Sequence, residues 1–473
     1  MAAELTEARD VRDVMTKAVK LEEKERIDGA AITRGLANYV VRSRFEDIPA
    51  EVRHEGVRSL VNFIGCTVAG SRHETVEAAL AALKDLGASG DAVVLGRSDR
   101  LDAMNATLVN GISSAVLDFD ATQFKRTNIH PSGPVLPPLL AFMTSRSVSG
   151  AEFLHAYIVA VEVACRLANG IFGEENPGWH VTGATGGVGA AAGIGRLLGL
   201  SADKMSAAFG IAATQAGGLR EMYGTMCKSF TPGRTGQNGY LAALLAARGF
   251  DSAERAIEGD KGLAMVMAGR PAEREILEGL GERFEIVHNI YKPFACAIVS
   301  HAAIDGALRL RKLHAFTAEE VAHVHLLVSP PTLALAGKRD PNTGLESKFS
   351  VYHGVALALR YGDADPRRFQ DSYALDPALT ALRARITAET DTGLVKDQAE
   401  VIITLADGRE VKTRIEHAVG SLVNPISDAD LDDKFRGLCE DAFPKQKIER
   451  LLELCRNCER LADANVIAQA AAA

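Results

Sequence analysis

The sequence predicts a mainly α protein with a second, α+β domain, and three of its features carry that prediction. Apolar and small residues recur at helical spacing almost without interruption from about residue 32 to 270. Strict alternation replaces that period after about residue 280, and a helical pattern returns near the chain end. A large all-helical domain formed by both chain ends is therefore expected to carry a smaller α+β lid domain. The corresponding boundaries are a charged N-terminal extension at 1–31, a helical domain at 32–280 and 418–465, and the lid at 281–417.

In chain order, the extension MAAELTEARDVRDVMTKAVKLEEKERIDGA is charged throughout and lacks a signal-peptide apolar core. Helices are expected at Val52–Val68, Thr75–Leu86 and Ala103–Val116. Ser149 and Glu152 form a capping box ahead of Phe153, Leu154, Tyr157, Ile158 and Val161. Ala184–Leu198, Lys204–Ala216 and Gly239–Ala247 follow, several of them apolar all round, as buried helices are. In the lid, Val324, Leu326 and Val328 alternate with His323 and His325. Ala399, Val401, Ile403 and Leu405 alternate up to Asp407-Gly408, after which Val411, Thr413 and Ile415 resume, a hairpin signal. Helices at His301–Leu313 and Phe349–Arg360 lie between these strands. Ser427 and Asp430 cap another helix, Ile448–Leu461 is helical, and the terminal AQAAAA is expected to fray.

With 53 Lys+Arg against 61 Asp+Glu, the net charge is −8 and no basic block interrupts it, so neither nucleic acid nor an anionic membrane is the expected partner. Aromatic residues make up only 5%, with Trp179 the single tryptophan, which argues against a base-stacking platform. No run approaches the roughly 20 apolar residues of a membrane span. Seven scattered cysteines, including Cys455-x-x-Cys458, read as reduced thiols, and a cytoplasmic location is expected.

Four segments concentrate reactive side chains. In Asp118-Phe-Asp120-Ala-Thr122-Gln-Phe-Lys125-Arg126-Thr-Asn-Ile-His130, an apolar helix ends in two acids, and a cationic loop leads to a histidine. Carboxylate, hydroxyl, cations and imidazole this close together can bind and deprotonate a small acid, histidine being suited by a pKa near neutrality. A surface loop with a helix-capping Asp has the same residues. The glycines after Gly178-Trp179-His180 lack the spacing of a phosphate-cradling loop and suit close helix packing instead, leaving His180 to face a pocket or to bond a neighbouring loop. Gly224–Arg234 reads as a polar turn in which Lys228 binds a carboxylate, transfers a proton, or snorkels to solvent. Lys292, before Pro293, sits where helical texture gives way to mixed texture, a place where clefts form. His301 and Asp305 can meet on a helix face. His323 and His325 lack an evident third ligand, so no metal site is expected.

These blocks, in this order, resemble the MmgE/PrpD family, which includes 2-methylcitrate dehydratases, cis-aconitate decarboxylases and iminodisuccinate epimerases. Asn110-Gly111, His130-Pro-Ser-Gly, Gly178-Trp-His180, Lys292-Pro-Phe-Ala-Cys, Thr343-Gly-Leu-Glu-Ser-Lys348-Phe-Ser350 and Leu405-Ala-Asp-Gly408 carry the resemblance over about residues 32 to 460. It implies an active site between a helical domain and a lid, a homodimer, and chemistry without metal or organic cofactor. It also implies that Asp118, Thr122, His130, His180, Lys228 and Lys292 are the site residues. Ala121 stands where many members have Asp, Thr231 where a His is common, and no lid tyrosine stands near Thr332–Ala336.

The expected activity is that of a cofactor-independent lyase on a small di- or tricarboxylic acid of the 2-methylcitrate or cis-aconitate type. Lys228 and Lys292, assisted by Arg126, would stabilise the doubly charged enolate. His130 or His180 would move the proton, Asp118 would orient an imidazole, and Thr122 would touch substrate. The alternatives are an epimerase or isomerase of an iminodisuccinate-like dicarboxylate in the same cleft, and a non-catalytic relative.

Overall fold

A computed structural model describes residues 31–473 apart from 174, 175, 177 and 270. The expected N-terminal extension therefore lies outside the described residues, save for Ala31. Two large hydrophobic cores organise the described residues, one built mainly of helices and the other of helices laid on a sheet, and a small third cluster gathers Ile290, Ala297, Ile298, Val299 and Ala336. Among the described residues no helix is long and apolar enough to cross a membrane.

The helical core centres on Ala50–Gly70, Ala103–Val116, Gly150–Ile171, Val181–Leu197 and Met226–Ala247. Small residues set how closely these helices approach. A Cβ added to Gly111 would lie 2.3 Å from the Cα of Gly233, and one added to Gly233 would lie 2.3 Å from the Leu108 carbonyl oxygen. Hydrogen atoms in place of side chains therefore fix the separation of Ala103–Val116 from Met226–Ala247. The glycines after His180 serve the same end: a Cβ on Gly189 would meet Ala160 O and Ala164 Cβ at 2.7 Å.

C-terminal helices pack on this core. Asp428–Cys439 packs on Ala50–Gly70, with the Phe435 ring 3.2 Å from where a Gly65 Cβ would stand, and Leu451 and Cys455 are buried in the same core. The terminal alanines do not fray. Ala468 and Ala471 are buried, Gly96 N donates to Ala471 O at 2.8 Å, and Ala473 N donates to Arg97 O at 2.9 Å.

In the α+β unit the strands run Ile386–Thr390, Val321–Val328, Ala399–Leu405, Glu410–Ile415 across a mixed sheet, the first pair parallel and the others antiparallel. The helix His301–His314 lies against it at Gly306, where a Cβ would come within 2.6 Å of Val401. His323 and His325 share the Thr387 hydroxyl at 3.1 Å, and among the described residues no third His, Cys, Asp or Glu joins them. His301 and Asp305 do not pair: His301 Nε2 lies 3.4 Å from Cys296 O, while Asp305 binds Arg309.

The crossing between the two units differs from the expected boundary at 281. Phe284, Ile286 and Tyr291 belong to the helical core, and Asn289–Ile290 adds to Thr122–Phe124 as an antiparallel strand. A buried polar network fastens this crossing. Arg166, paired with Glu162, donates to the carbonyls of Ile276, Glu278, Gly279 and Arg283. Glu285 accepts from Gln123 at 2.6 Å and Asn169 at 3.1 Å. The strand pairing carries the chain from the loop after Asp118 directly to Lys292.

Gly111→Ala is expected to destabilise the protein by roughly 2 kcal/mol, because overpacking a tight helix contact outweighs the better helix propensity of Ala. Gly437 is helical, and no atom lies within 4 Å of where its Cβ would stand, so Gly437→Ala should stabilise by roughly 0.5–1 kcal/mol. Urea denaturation of the two variants measures both; equal effects would show that the Gly111–Gly233 contact is not tight.

Candidate active site

Asp118 follows the helix Ala103–Val116 with its backbone at φ +52°, the left-handed conformation that ends many helices and usually takes Gly or Asn. For Asp it costs roughly 1 kcal/mol, and a negative charge at a helix C-terminus is unfavourable as well. Two buried ammonium groups offset both costs. Lys228 Nζ lies 2.6 Å from Asp118 Oδ1 and Lys292 Nζ 2.8 Å from Oδ2. Burial alone would push the Asp118 carboxyl up, but the two lysines hold it well below the usual carboxylate range. Burial likewise works against the Lys228 ammonium, and Asp118 overcomes it, raising the amine to about 12.

Lys228 does not sit in a turn. Thr225 accepts from Cys227 N and starts the helix Met226–Ala247, which places Lys228 in its first turn and includes Pro232. The glycine contact with Ala103–Val116 brings that turn against Asp118. Lys292, only 1% exposed, follows the Asn289–Ile290 strand.

His130 follows the short strand Asn128–Ile129 and lies at the entry to Ser132–Phe142. Its Nδ1 is 3.1 Å from Asp120 Oδ2 and 3.2 Å from Thr122 Oγ1. Thr122 is thus the hydrogen-bond partner of the imidazole, with Asp120 within ion-pair range of the same nitrogen, and Asp118 is committed to the lysines. The alternation of side chains along Asp118-Phe-Asp120 puts both acids on one side, while Phe119 points to the α+β core. Burial pushes the Asp120 carboxyl up and His130 outweighs it, so Asp120 is lowered and stays ionised. A nearby carboxylate favours a proton on Nδ1, the tautomer in which Nε2 carries the lone pair.

His180 caps the helix Val181–Leu197 by position, yet neither of its ring nitrogens makes a hydrogen bond to a described residue. Burial, and then Lys228 and His130, push it down to about 3, so it is a neutral imidazole at physiological pH. Its ring packs edge-on against Tyr223, centroids 5.4 Å apart, and Tyr223 stacks on Phe349 from the α+β unit at 5.3 Å.

Asp118, His130, Tyr223, Lys228 and Lys292 line a cavity of about 20 Å³, closed on the other side by Ile298, Val299, Leu335 and Phe349. That volume suits about one water. Thr122 is buried behind His130 and does not line it. Arg126 is not brought to the cluster: it is 45% exposed and pairs with Glu275 at 3.4 Å. The sequence reading left out Asp120 as the acid beside the imidazole, and Tyr223, which had no motif to mark it.

Two further lysines surround the turn. Lys348 Nζ donates to Leu117 O at 2.9 Å, and Lys434 Nζ donates to Phe119 O at 2.9 Å and lies 3.6 Å from the Phe119 ring centre. Among the described residues neither has a carboxylate partner. Burial pulls each down to about 8, and Lys292 adds to the effect. Four amines thus surround the Asp118 turn, of which Lys228 and Lys292 face the cavity beside His130. The glycines of Val181–Leu197 lie inside a packed helix and form no phosphate cradle, and among the described residues no three metal-ligating side chains converge.

Asp118→Asn tests the ion triad, since Asn tolerates the same backbone but leaves both ammonium groups facing a neutral amide. The variant should be less stable than the parent by roughly 3 kcal/mol at pH 7. A depressed folded-state pKa stabilises above the unfolded value near 3.9 and is lost as pH falls through the folded value. The difference should therefore hold above about pH 5 and narrow towards pH 2 in urea denaturation. A difference that is flat over that range would refute an ionised Asp118.

Residues 34–275 match the model of the MmgE/PrpD N-terminal domain and residues 294–459 that of the MmgE/PrpD C-terminal domain. Curated relatives align along nearly the whole length. The cis-aconitate decarboxylase-like protein oryM of Aspergillus oryzae is 26% identical over 462 residues, covering 91% of this chain and 95% of that protein. The cis-aconitate decarboxylases of Aspergillus terreus and Homo sapiens are each 24% identical, covering 92% of this chain and 94% of theirs. Matched by both domain models on either side of the crossing that delivers Lys292, the chain belongs to the MmgE/PrpD family, a family of lyases acting on carboxylic acids.

Proposed function

We propose that the protein is a cofactor-independent lyase of a small di- or tricarboxylate, with decarboxylation of a cis-aconitate-type acid as the reaction to test first. The observation that carries this reading is the cluster of buried amines around the Asp118 turn, set beside two imidazoles of different character. An allylic tricarboxylate can lose CO₂ when the C–COO⁻ bond breaks and its electron pair forms a new C=C bond. The former double bond then shifts its pair to the carbon beside a second carboxylate, and that carbon takes up a proton. The costly species is the enolate-like dianion between these steps. Ammonium groups already fixed in a dry site stabilise such charge without reorganising.

In this scheme Lys228 and Lys292 bind the carboxylate on which charge develops, and Asp118 keeps them charged and aimed. His130, with Thr122 and Asp120 at its Nδ1, has its Nε2 available for proton transfer. Neutral His180 donates a hydrogen bond to the substrate or completes the proton path. A cavity of about 20 Å³ is far too small for such an acid, so binding requires Ile298, Leu335 and Phe349 to move away from the helical side. The relatives named cis-aconitate decarboxylases support cis-aconitate as the first substrate to try.

Incubation with cis-aconitate in D₂O, followed by proton NMR, should show loss of CO₂, new terminal-alkene signals and one deuterium on the methylene beside a carboxylate. A hydrated acid such as 2-methylcitrate losing water instead would make the enzyme a dehydratase, and exchange with inversion but no loss of mass would make it an epimerase. No turnover of any di- or tricarboxylate would refute the proposal.

His180→Phe separates chemistry from packing. A buried polar atom without a partner costs roughly 1–3 kcal/mol, so the variant should gain about 1 kcal/mol in stability while kcat falls about 10²–10⁴-fold. A destabilised variant with normal turnover would make His180 an ordinary core residue.

A further inference from the structure

Three consecutive carbonyl groups at the end of the Ala103–Val116 helix each accept from a different ammonium group, those of Lys292 and Lys348 buried and that of Lys434 half-buried. Lys348 serves Leu117 O, Lys292 serves Asp118 O and Lys434 serves Phe119 O, each at 2.9 Å. Lys348 and Lys434 also have second acceptors, and these lie on the other active-site segment: Ala295 O at 3.2 Å from Lys348 and Lys292 O at 3.0 Å from Lys434. Each amine therefore bridges the stretch that carries Asp118 to the stretch that carries Lys292. Their chain origins differ as well. Lys348 belongs to the α+β unit, while Lys434 lies in the C-terminal helix Asp428–Cys439.

Neither amine lines the small cavity. Both face a larger one of about 870 Å³ that also borders Leu117 and Phe119, and the two cavities share only Lys292. Asp118 thus turns its carboxylate to one side of the turn, and Lys348 and Lys434 hold the turn from the other.

We propose that Lys348 and Lys434 are positioning residues for the reaction, cross-linking the Leu117–Phe119 turn to the Lys292–Ala295 segment so that Asp118 keeps both Lys228 and Lys292. The proposal rests on the catalytic reading of the Asp118 cluster. Left without these donors, a left-handed aspartate has the ordinary helical and extended conformations open to it, and either one swings the carboxylate away from one lysine. Docking of the α+β unit then contributes to the site beyond closing it, because that unit brings Lys348.

Lys348→Met and Lys434→Met keep the alkyl stem and remove the donors. Each is expected to lower kcat at least about tenfold while KM stays within about twofold, the pattern of a group that acts on the transition state without touching bound substrate. Crystal structures of the two variants should show Asp118 out of its positive-φ conformation and separated from Lys228 or Lys292. The proposal is overturned if Asp118 keeps its backbone and both lysine contacts in both variants, or if it moves and kcat is unchanged. Should the Met variants not fold, Lys348→Gln and Lys434→Gln, which retain an amide donor on a shorter stem, carry the same measurements. If the parent enzyme turns over no carboxylic acid, the functional reading fails by itself, and the position of Asp118 in the variant structures decides the clamp.

Discussion

A single carboxylate, placed where helices ordinarily end in glycine, is the point on which the rest of the architecture converges. Asp118 is buried at a helix C-terminus with a positive φ, and each of these conditions is unfavourable for an isolated aspartate. The molecule meets them with lysines drawn from four separate places: a helix of the first domain, the crossing, the α+β unit and the C-terminal helices. That requirement gives a physical reason for the unusual chain path, in which the C-terminal residues travel back to the domain where the helical core began.

Long elements with one dominant periodicity were legible in the sequence. Ala103–Val116 matches its expected bounds, the Ser149–Glu152 capping box is present, and the hairpin turns at Gly408 with φ +88°. Gly224–Arg234 was not legible as helix because Gly, Thr, Pro and Gly are the residues that mark turns. Burial against Ala103–Val116 overrides them here. Pro232 falls in the second turn of the helix, where it forgoes one hydrogen bond, and Gly233 is required there for close approach.

The site was only half legible for a related reason. His130 and Lys292 each stand directly before a proline that marks them as special, and Lys228 lies between Gly224 and Pro232. Lys434 lies in DADLDDKFRGLC, where alternating acids and a lysine read as a solvated helix face, and only tertiary packing turns that lysine inward. Which of Asp118 and Asp120 lies beside the imidazole depends on a left-handed residue between a helix and a strand, and one sequence does not encode backbone sign. Arg126 was the opposite case, chemically apt and close in sequence, yet carried outward to Glu275 by the strand pairing that brings Lys292 in.

The Gly111–Gly233 contact has an evolutionary consequence. The wall of the cavity that carries Asp118 and Lys228 stands on helices too close to admit even a methyl group, so a change of residue there disturbs the charges as well as the packing. The opposite wall is Ile298, Val299, Leu335 and Phe349, apolar side chains with no charge to hold in place. Diversification of substrate then has one inexpensive route, through the apolar wall. Under the reaction proposed above, such a fold would pass from one carboxylic acid to another by exchanging a few side chains on one face, leaving the charged wall unchanged.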